Sequence, residues 1–165
     1  MVALLVFSCC LLPSCSREND VEVIRQLVNK AAKEAEAHDI GGLMKLTTED
    51  FIADPGGHDR RAVRGILFRA FAYYKQFRLV YPQPSVELAS DDKTAAATVY
   101  FLIVRKDISF PELDSLYHDP QGWLDQVGEN ADLYRLHLKL GKKEGKWLVR
   151  LAQLESFTGV GFREE

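Results

Sequence analysis

Four histidines are the side chains whose ordinary titration lies near neutrality, and three of them stand directly before an aspartate: His38-Asp39, His58-Asp59 and His118-Asp119. If they converged, such pairs would make a binuclear metal site. Each pair instead falls at an expected helix end or in a loop, where Asp serves as a capping residue. Adjacent residues on a helix also point about 100° apart and do not chelate together. Neither HxxxH nor HExxH occurs, so no metal and no cofactor is expected. His137 alternates with Arg135 and Lys139 and is a weak candidate for a catalytic base. Tyr74, Tyr100 and Tyr134 could offer hydroxyls to a pocket, although a tyrosine more often fills a core with its hydroxyl at the rim. There is no Gly-rich phosphate loop and no nucleophile with an adjacent base. All three cysteines, Cys9, Cys10 and Cys15, precede the first charge, Arg17, so the rest of the chain has no thiolate chemistry and no internal disulfide.

Those cysteines sit in "MVALLVFSCCLLPSC". A helical membrane span needs roughly 20 apolar residues, so this run is too short to be one, yet it matches the roughly 7–15-residue apolar core of a signal peptide. "Leu12-Pro13-Ser14-Cys15" resembles the lipobox of bacterial lipoproteins. That resemblance implies a diacylglycerol on the sulfur of Cys15 and loss of residues 1–14. It leaves 15–20 as a short tether and 21–165 as a single domain. Such leaders open with Lys or Arg and this one does not, so the reading places the true start upstream of Met1. By the sorting rule of the same family, Ser16 directs the protein to the outer membrane, facing the periplasm.

About 150 residues are ample for one core. With 21 basic and 24 acidic residues the net charge is −3, which argues against a nucleic-acid partner. The spacing of Ile24, Leu27, Val28, Ala31 and Ala35 predicts a helix from Val21 to His38, capped by Asn19 or Asp20 and stopped by Gly41-Gly42. A short helix over 43–47 follows, then "ADPGGHD" as a loop. Asp59 caps a second long helix to about Gln76, with Val63, Ile66, Leu67, Ala70, Phe71, Tyr74 and Phe77 on its apolar face. Arg60, Arg61, Arg64, Lys75 and Arg78 form a basic flank beside that stripe. It could be a solvated face or could rest on anionic lipid.

Beyond Gln76 the period changes. "FRLVY", "SVELAS", "TAAATVYFLIVRK", "LYRLHLKLGKK" and "KWLVRLAQLE" read as strands, with turns at Ser90–Lys93 and Lys142–Gly145. The fourth strand alternates apolar and polar, while the third is apolar enough for both faces to be covered. Helices first and strands later predict an α+β fold.

The order of these elements, with "SVELASDDKTAAATVYF" and "GKWLVRLAQLE" as its most specific pieces, resembles the nuclear transport factor two-like superfamily, also called SnoaL-like or cystatin-like. The resemblance implies long N-terminal helices packed on a strongly bent antiparallel sheet, giving a cone with a pocket. One departure is a connection of 107–131 between the third and fourth strands, longer than a hairpin needs. It carries Phe110, Tyr117 and Trp123, and "Asp119-Pro120" reads as a helix start with Gly128 as its stop. It is either a lid whose Phe110 and Trp123 close the pocket or a local flap over the end of the cone. Catalytic members of the superfamily place a carboxylate base and an acidic donor in the cone, and no such pair is legible here. The sequence therefore favours a non-catalytic, membrane-anchored protein that binds a small apolar ligand or a protein partner, with a homodimer through the sheet as another use of the fold. An acid–base enzyme acting on a small hydrophobic substrate is the alternative.

Overall fold

The computed structural model describes residues 14–105, 131–157 and 162–164. Three helices, α1 (Ser14–Glu36), α2 (Ile40–Lys45) and α3 (Arg60–Tyr74), alternate with β1 (Thr47–Asp54) and β2 (His58–Asp59). Then come β3 (Phe77–Val80), β4 (Ser85–Leu88), β5 (Thr94–Arg105), β6 (Ala131–Lys143), β7 (Lys146–Phe157) and β8 (Phe162–Glu164). The fold is α+β as expected, with the helices packed on one curved sheet of eight strands.

Four local expectations change. α1 begins at Ser14, so the stretch 15–20 is helix, and Asp20 is a buried residue of that helix and not its cap. It ends at Glu36 because His38 takes a left-handed conformation (φ 58°) and folds its amide back to Ala35 O at 2.9 Å. Gly41 and Gly42 lie inside α2 instead of stopping α1. A Cβ on Gly42 would sit 2.6 Å from the Glu34 carboxylate, which would have to swing aside. The third change is β1, which was not foreseen: it adds to the sheet parallel to β7, so the sheet is mixed and not purely antiparallel. Fourth, α3 stops at Tyr74, with Lys75 as a C-cap at φ 54°.

The five strands expected from the sequence are all present. Glu144 (φ 51°) and Gly145 (φ 76°) form the two-residue link between β6 and β7. Positive φ at both central residues matches the right-handed twist of the strands they join. Asp91 organises the β4–β5 turn by accepting from the backbone amides of Lys93 and Thr94, each at 2.9 Å. Asp59 caps α3 as expected, accepting from Ala62 N at 2.8 Å.

Cross-strand register sorts the residues onto two faces. Toward α1 point the rows Leu88–Ala95–Leu140–Val149 and Val86–Ala97–Leu138–Ala152. With Ile24, Leu27, Val28, Phe51, Val99 and Trp147 they form the core. The opposite face of β5 is not covered as expected: Ala96 and Tyr100 are exposed and Thr98 is half-buried.

Asp20 ties α1 to the sheet. It is 7% exposed and is the one buried polar or charged residue among the described residues. Lys142 Nζ lies 2.8 Å from each carboxylate oxygen, and Trp147 Nε1 donates at 2.9 Å. The bonds from Lys142 and Trp147 hold the Asp20 carboxyl below its ordinary pKa, against the opposing effect of burial. Its contribution is therefore present above the unfolded value of 3.8 and is lost as pH falls through the lower folded value. Asp20→Ala strands both the Lys142 ammonium and the Trp147 N–H, and is expected to cost about 2–4 kcal/mol in a denaturant melt. Asp20→Asn keeps an acceptor for Trp147, should cost less, and should flatten the loss of stability below pH 4 that is expected of the wild type.

Candidate functional site

On the face of the sheet away from α1, strand geometry lines up Glu87, Ala96, Lys139, Leu151 and Ile52 in one row across β4, β5, β6, β7 and β1. Its middle is low because Ala96 stands between Glu87 and Lys139. The register of β6 on β7 shifts between Lys139 and Leu140. Beside that shift Arg150 lies across Gly141, where an added Cβ would approach Arg150 Cδ to 2.9 Å. The result is an open recess of about 660 Å³. Ile52, Leu151 and Ala96 supply an apolar floor, and Glu87, Asp50, Lys139 and Arg150 supply charge. Arg150 pairs with Asp50 at 3.4 Å, both well exposed, whereas Lys139 has no ion-pair partner among the described residues. A hydrogen bond from Thr48 is the largest cause of a lowered Asp50 pKa; the backbone amide of Asp50 and the Arg150 charge act the same way.

The next rows on this face are polar. His137 Nδ1 lies 3.1 Å from Thr98 Oγ1, and its Nε2 lies 3.9 Å from Glu155 Oε2. Hydroxyl, imidazole and carboxylate in that order resemble a proton relay. Glu155, however, is already gripped by Arg135, which is also held by Tyr100, and the His137 side chain is 40% exposed. A relay works best where water is excluded, and the His137 imidazole is partly in solvent. Tyr100, expected in the pocket, belongs to this outer face and is 43% exposed, because it is an odd number of residues from the inward-facing Val99.

Tyr74 and Tyr134 do come together on the helix side. Tyr74 OH donates to Asp132 Oδ2 at 2.7 Å and lies 3.1 Å from Tyr134 OH. Burial, then the bonds to Tyr134 and Asp132, raise the Tyr74 pKa well above the ordinary value of 10. Asp132 was missed in the sequence, although it stands two residues before Tyr134 on one strand and so on the same face. Phe110 and Trp123 lie outside the described residues, as does the whole connection 107–131 except Ala131.

The basic flank is not one surface. Arg60 is spent on Met44 O at 2.7 Å, while Arg61 and Arg64 stay on α3. Lys75 ends the helix and Arg78 belongs to β3. His38 is stacked on Phe71 and Phe77, with ring centroids 4.8 and 5.4 Å away, a packing role and not a ligating one. Among the described residues no group of three His, Cys, Asp or Glu could hold a metal ion.

Tyr74→Phe is expected to cost about 1 kcal/mol, the ordinary net worth of such a bond. In an alkaline absorbance titration the variant should show one fewer tyrosine staying protonated above pH 10 than the wild type, the remaining raised one being Tyr81. Because the folded pKa is the higher one, this contribution is intact below pH 10 and declines above it.

No sequence-family model matches the chain, and no curated protein does. Solved structures match it throughout. A Nostoc punctiforme protein of unknown function with a cystatin-like fold superposes with a TM-score of 0.65 at 13% identity, over 85% of this chain and 92% of its own. A nuclear transport factor two-like protein from Novosphingobium aromaticivorans gives 0.64 at 16%, over 93% and 94%. A proposed scytalone dehydratase from the same organism gives 0.65 at 12%, over 88% and 89%. The chain has the cystatin-like fold of the nuclear transport factor two-like proteins, as the order of its elements led us to expect.

Proposed function

We propose that the chain is a lipid-anchored protein of a bacterial cell envelope whose domain binds a small ligand without transforming it. The carrying observation is the contrast between the two sides of the sheet. Toward α1 the described core is a cluster of apolar side chains, and its one buried carboxylate, Asp20, is paired with Lys142. On the far side a recess of about 660 Å³ stands open with an apolar floor and a charged rim. That shape suits a ligand with an apolar body and a polar group able to meet Lys139 or Arg150. Anchoring rests on Leu12-Pro13-Ser14-Cys15, and Ser16 favours the outer membrane, facing the periplasm.

A second reading, an acid–base enzyme on a small hydrophobic substrate, draws support from the Tyr74–Tyr134–Asp132 cluster and from the fold shared with a proposed scytalone dehydratase. The cluster's hydroxyls could polarise a carbonyl, as paired acidic donors do in apolar sites. Its one carboxylate, Asp132, already accepts the Tyr74 hydroxyl, and this occupied acceptor is why binding is preferred.

Native mass spectrometry of protein drawn from its own membranes tests both parts. Acyl mass on Cys15, lost in Cys15→Ser, is expected. A co-purifying small molecule should be present in the wild type and absent from Ala96→Phe, which fills the recess from an exposed position. A dimer with an empty recess would instead give this face to self-association. Retention of the molecule by Ala96→Phe, with loss in Tyr74→Phe, would favour the enzyme.

A further inference from the structure

The two ends of the domain differ in what they can touch. α1 is tied to the sheet near both ends of β5. Near its start Arg17 donates to Ala89 O at 3.0 Å and pairs with Asp92 at 2.7 Å, beside the first residue of β5. At its end Glu36 accepts from Leu79 N at 2.7 Å, and Leu79 is paired with Ile103 near the last residue of β5. The Arg17 end also gathers both hairpin turns. Lys142 N donates to Lys93 O at 2.8 Å, and Lys142 Nζ grips Asp20. With Arg17 and Lys142 paired to Asp92 and Asp20, the exposed charge left on this end is Lys93, Lys143 and Lys146 against Glu18, Asp91 and Glu144. Asp91 is hydrogen-bonded within its own turn, to Lys93 N, Thr94 N and Thr94 Oγ1, so among the described residues three lysines stand against Glu18 and Glu144 as the charges without a bonded partner at this end.

We propose that this end, made of the first turns of α1, the β4–β5 turn and the β6–β7 turn, is a surface that lies on the lipid headgroups of a bilayer. The proposal rests on the reading of Cys15 as the site of lipid attachment. Cys15 lies within α1, and once residues 1–14 are removed it is the helix's first residue, with its Cα about 3 Å along the axis from that of Arg17 at 1.5 Å per residue. Acyl chains in the leaflet therefore bring Arg17 to the headgroup layer. The clamp to Ala89 and Asp92 carries both turns with it. A flexible tether would let the domain tumble; a helix clamped two residues after its anchor does not. The available lysines meet phosphate oxygens there.

Two consequences follow from the same geometry. α1 is about 34 Å long, so Tyr74, Tyr134 and Asp132, grouped at its far end, are held about that distance from the headgroups. The recess, whose lining includes Ala89 and Thr94, opens at the level of the headgroups, within reach of an amphiphile leaving the bilayer.

Single cysteines at Lys143→Cys and Gln76→Cys test the surface, since the chain has no cysteine after Cys15. Each protein is isolated from membranes, its acyl mass on Cys15 read by mass spectrometry, and a thiol-reactive fluorophore attached. It is then placed in vesicles of phosphatidylethanolamine and phosphatidylglycerol carrying a headgroup-linked quencher. Quenching several-fold stronger at 143 than at 76 is expected. Equal quenching at both positions, or stronger quenching at 76, in a chain whose Cys15 is acylated overturns the surface and leaves the anchor standing. Absence of any acyl mass on Cys15 overturns the anchor, and the surface with it.

Discussion

One buried carboxylate holds the helix layer to the sheet. Asp20 leaves water near the start of α1, and its charge would be untenable there without the Lys142 ammonium on one side and the Trp147 indole N–H on the other. Both partners come from strands more than a hundred residues away, Lys142 from β6 and Trp147 from β7. They flank the two-residue turn through Glu144 and Gly145. The angle and depth of α1 over the sheet are thus set at one end by a charge-assisted contact, and along the rest by Ile24, Leu27 and Val28 against the inward rows of β5, β6 and β7. Hydrophobic burial supplies the attraction, and the carboxylate supplies the register that burial alone does not specify.

That arrangement divides the molecule by side. Under the first half of α1 the inward residues are committed to packing: small Ala95 and Ala97 sit beside the larger Leu138, Leu140 and Val149. Outward residues are released from that duty. They are polar where β6 alternates, small where β5 reads Ala-Ala-Ala, and bent by the register shift near Lys139. The recess is a by-product of those three properties meeting on one face. A second division runs along the chain axis. Near the start of α1 the hairpin turns and their lysines collect, and at its far end lie the aromatic stack of His38, Phe71 and Phe77 and the cluster around Tyr74.

Much of this was legible from residues alone. Alternation in "LYRLHLKLGKK" determines which side of β6 is apolar, because successive side chains on a strand point to opposite faces. Likewise Asp59 before Arg60-Arg61-Ala62 marks a helix start, since a carboxylate can accept the orphan amide of the first turn, and it does. The order of helices and strands pointed to the cystatin-like fold, which the superposed structures share. Less visible was β1. "TTEDFIAD" has no clean alternation, and its place is made by parallel pairing with β7, a partner about a hundred residues distant. Without β1 the row ending in Ile52 is incomplete, and so the recess could not be read. Tyr100 was misplaced because an apolar run on β5 hides which of its two faces is covered.

The sequence by itself determined most of the elements, their order and the paired turns. All of these depend on neighbours a few residues apart, where capping, turn conformation and periodicity act. Tertiary structure decided where charge and space end up: that Asp20 is a buried anchor and not a cap, that Arg60 bonds a carbonyl while Lys75 and Arg78 leave the helix, and that Tyr74 finds Asp132. Those outcomes depend on which distant strand lies alongside, a contact fixed by the summed burial of the whole core. No local pattern encodes that sum.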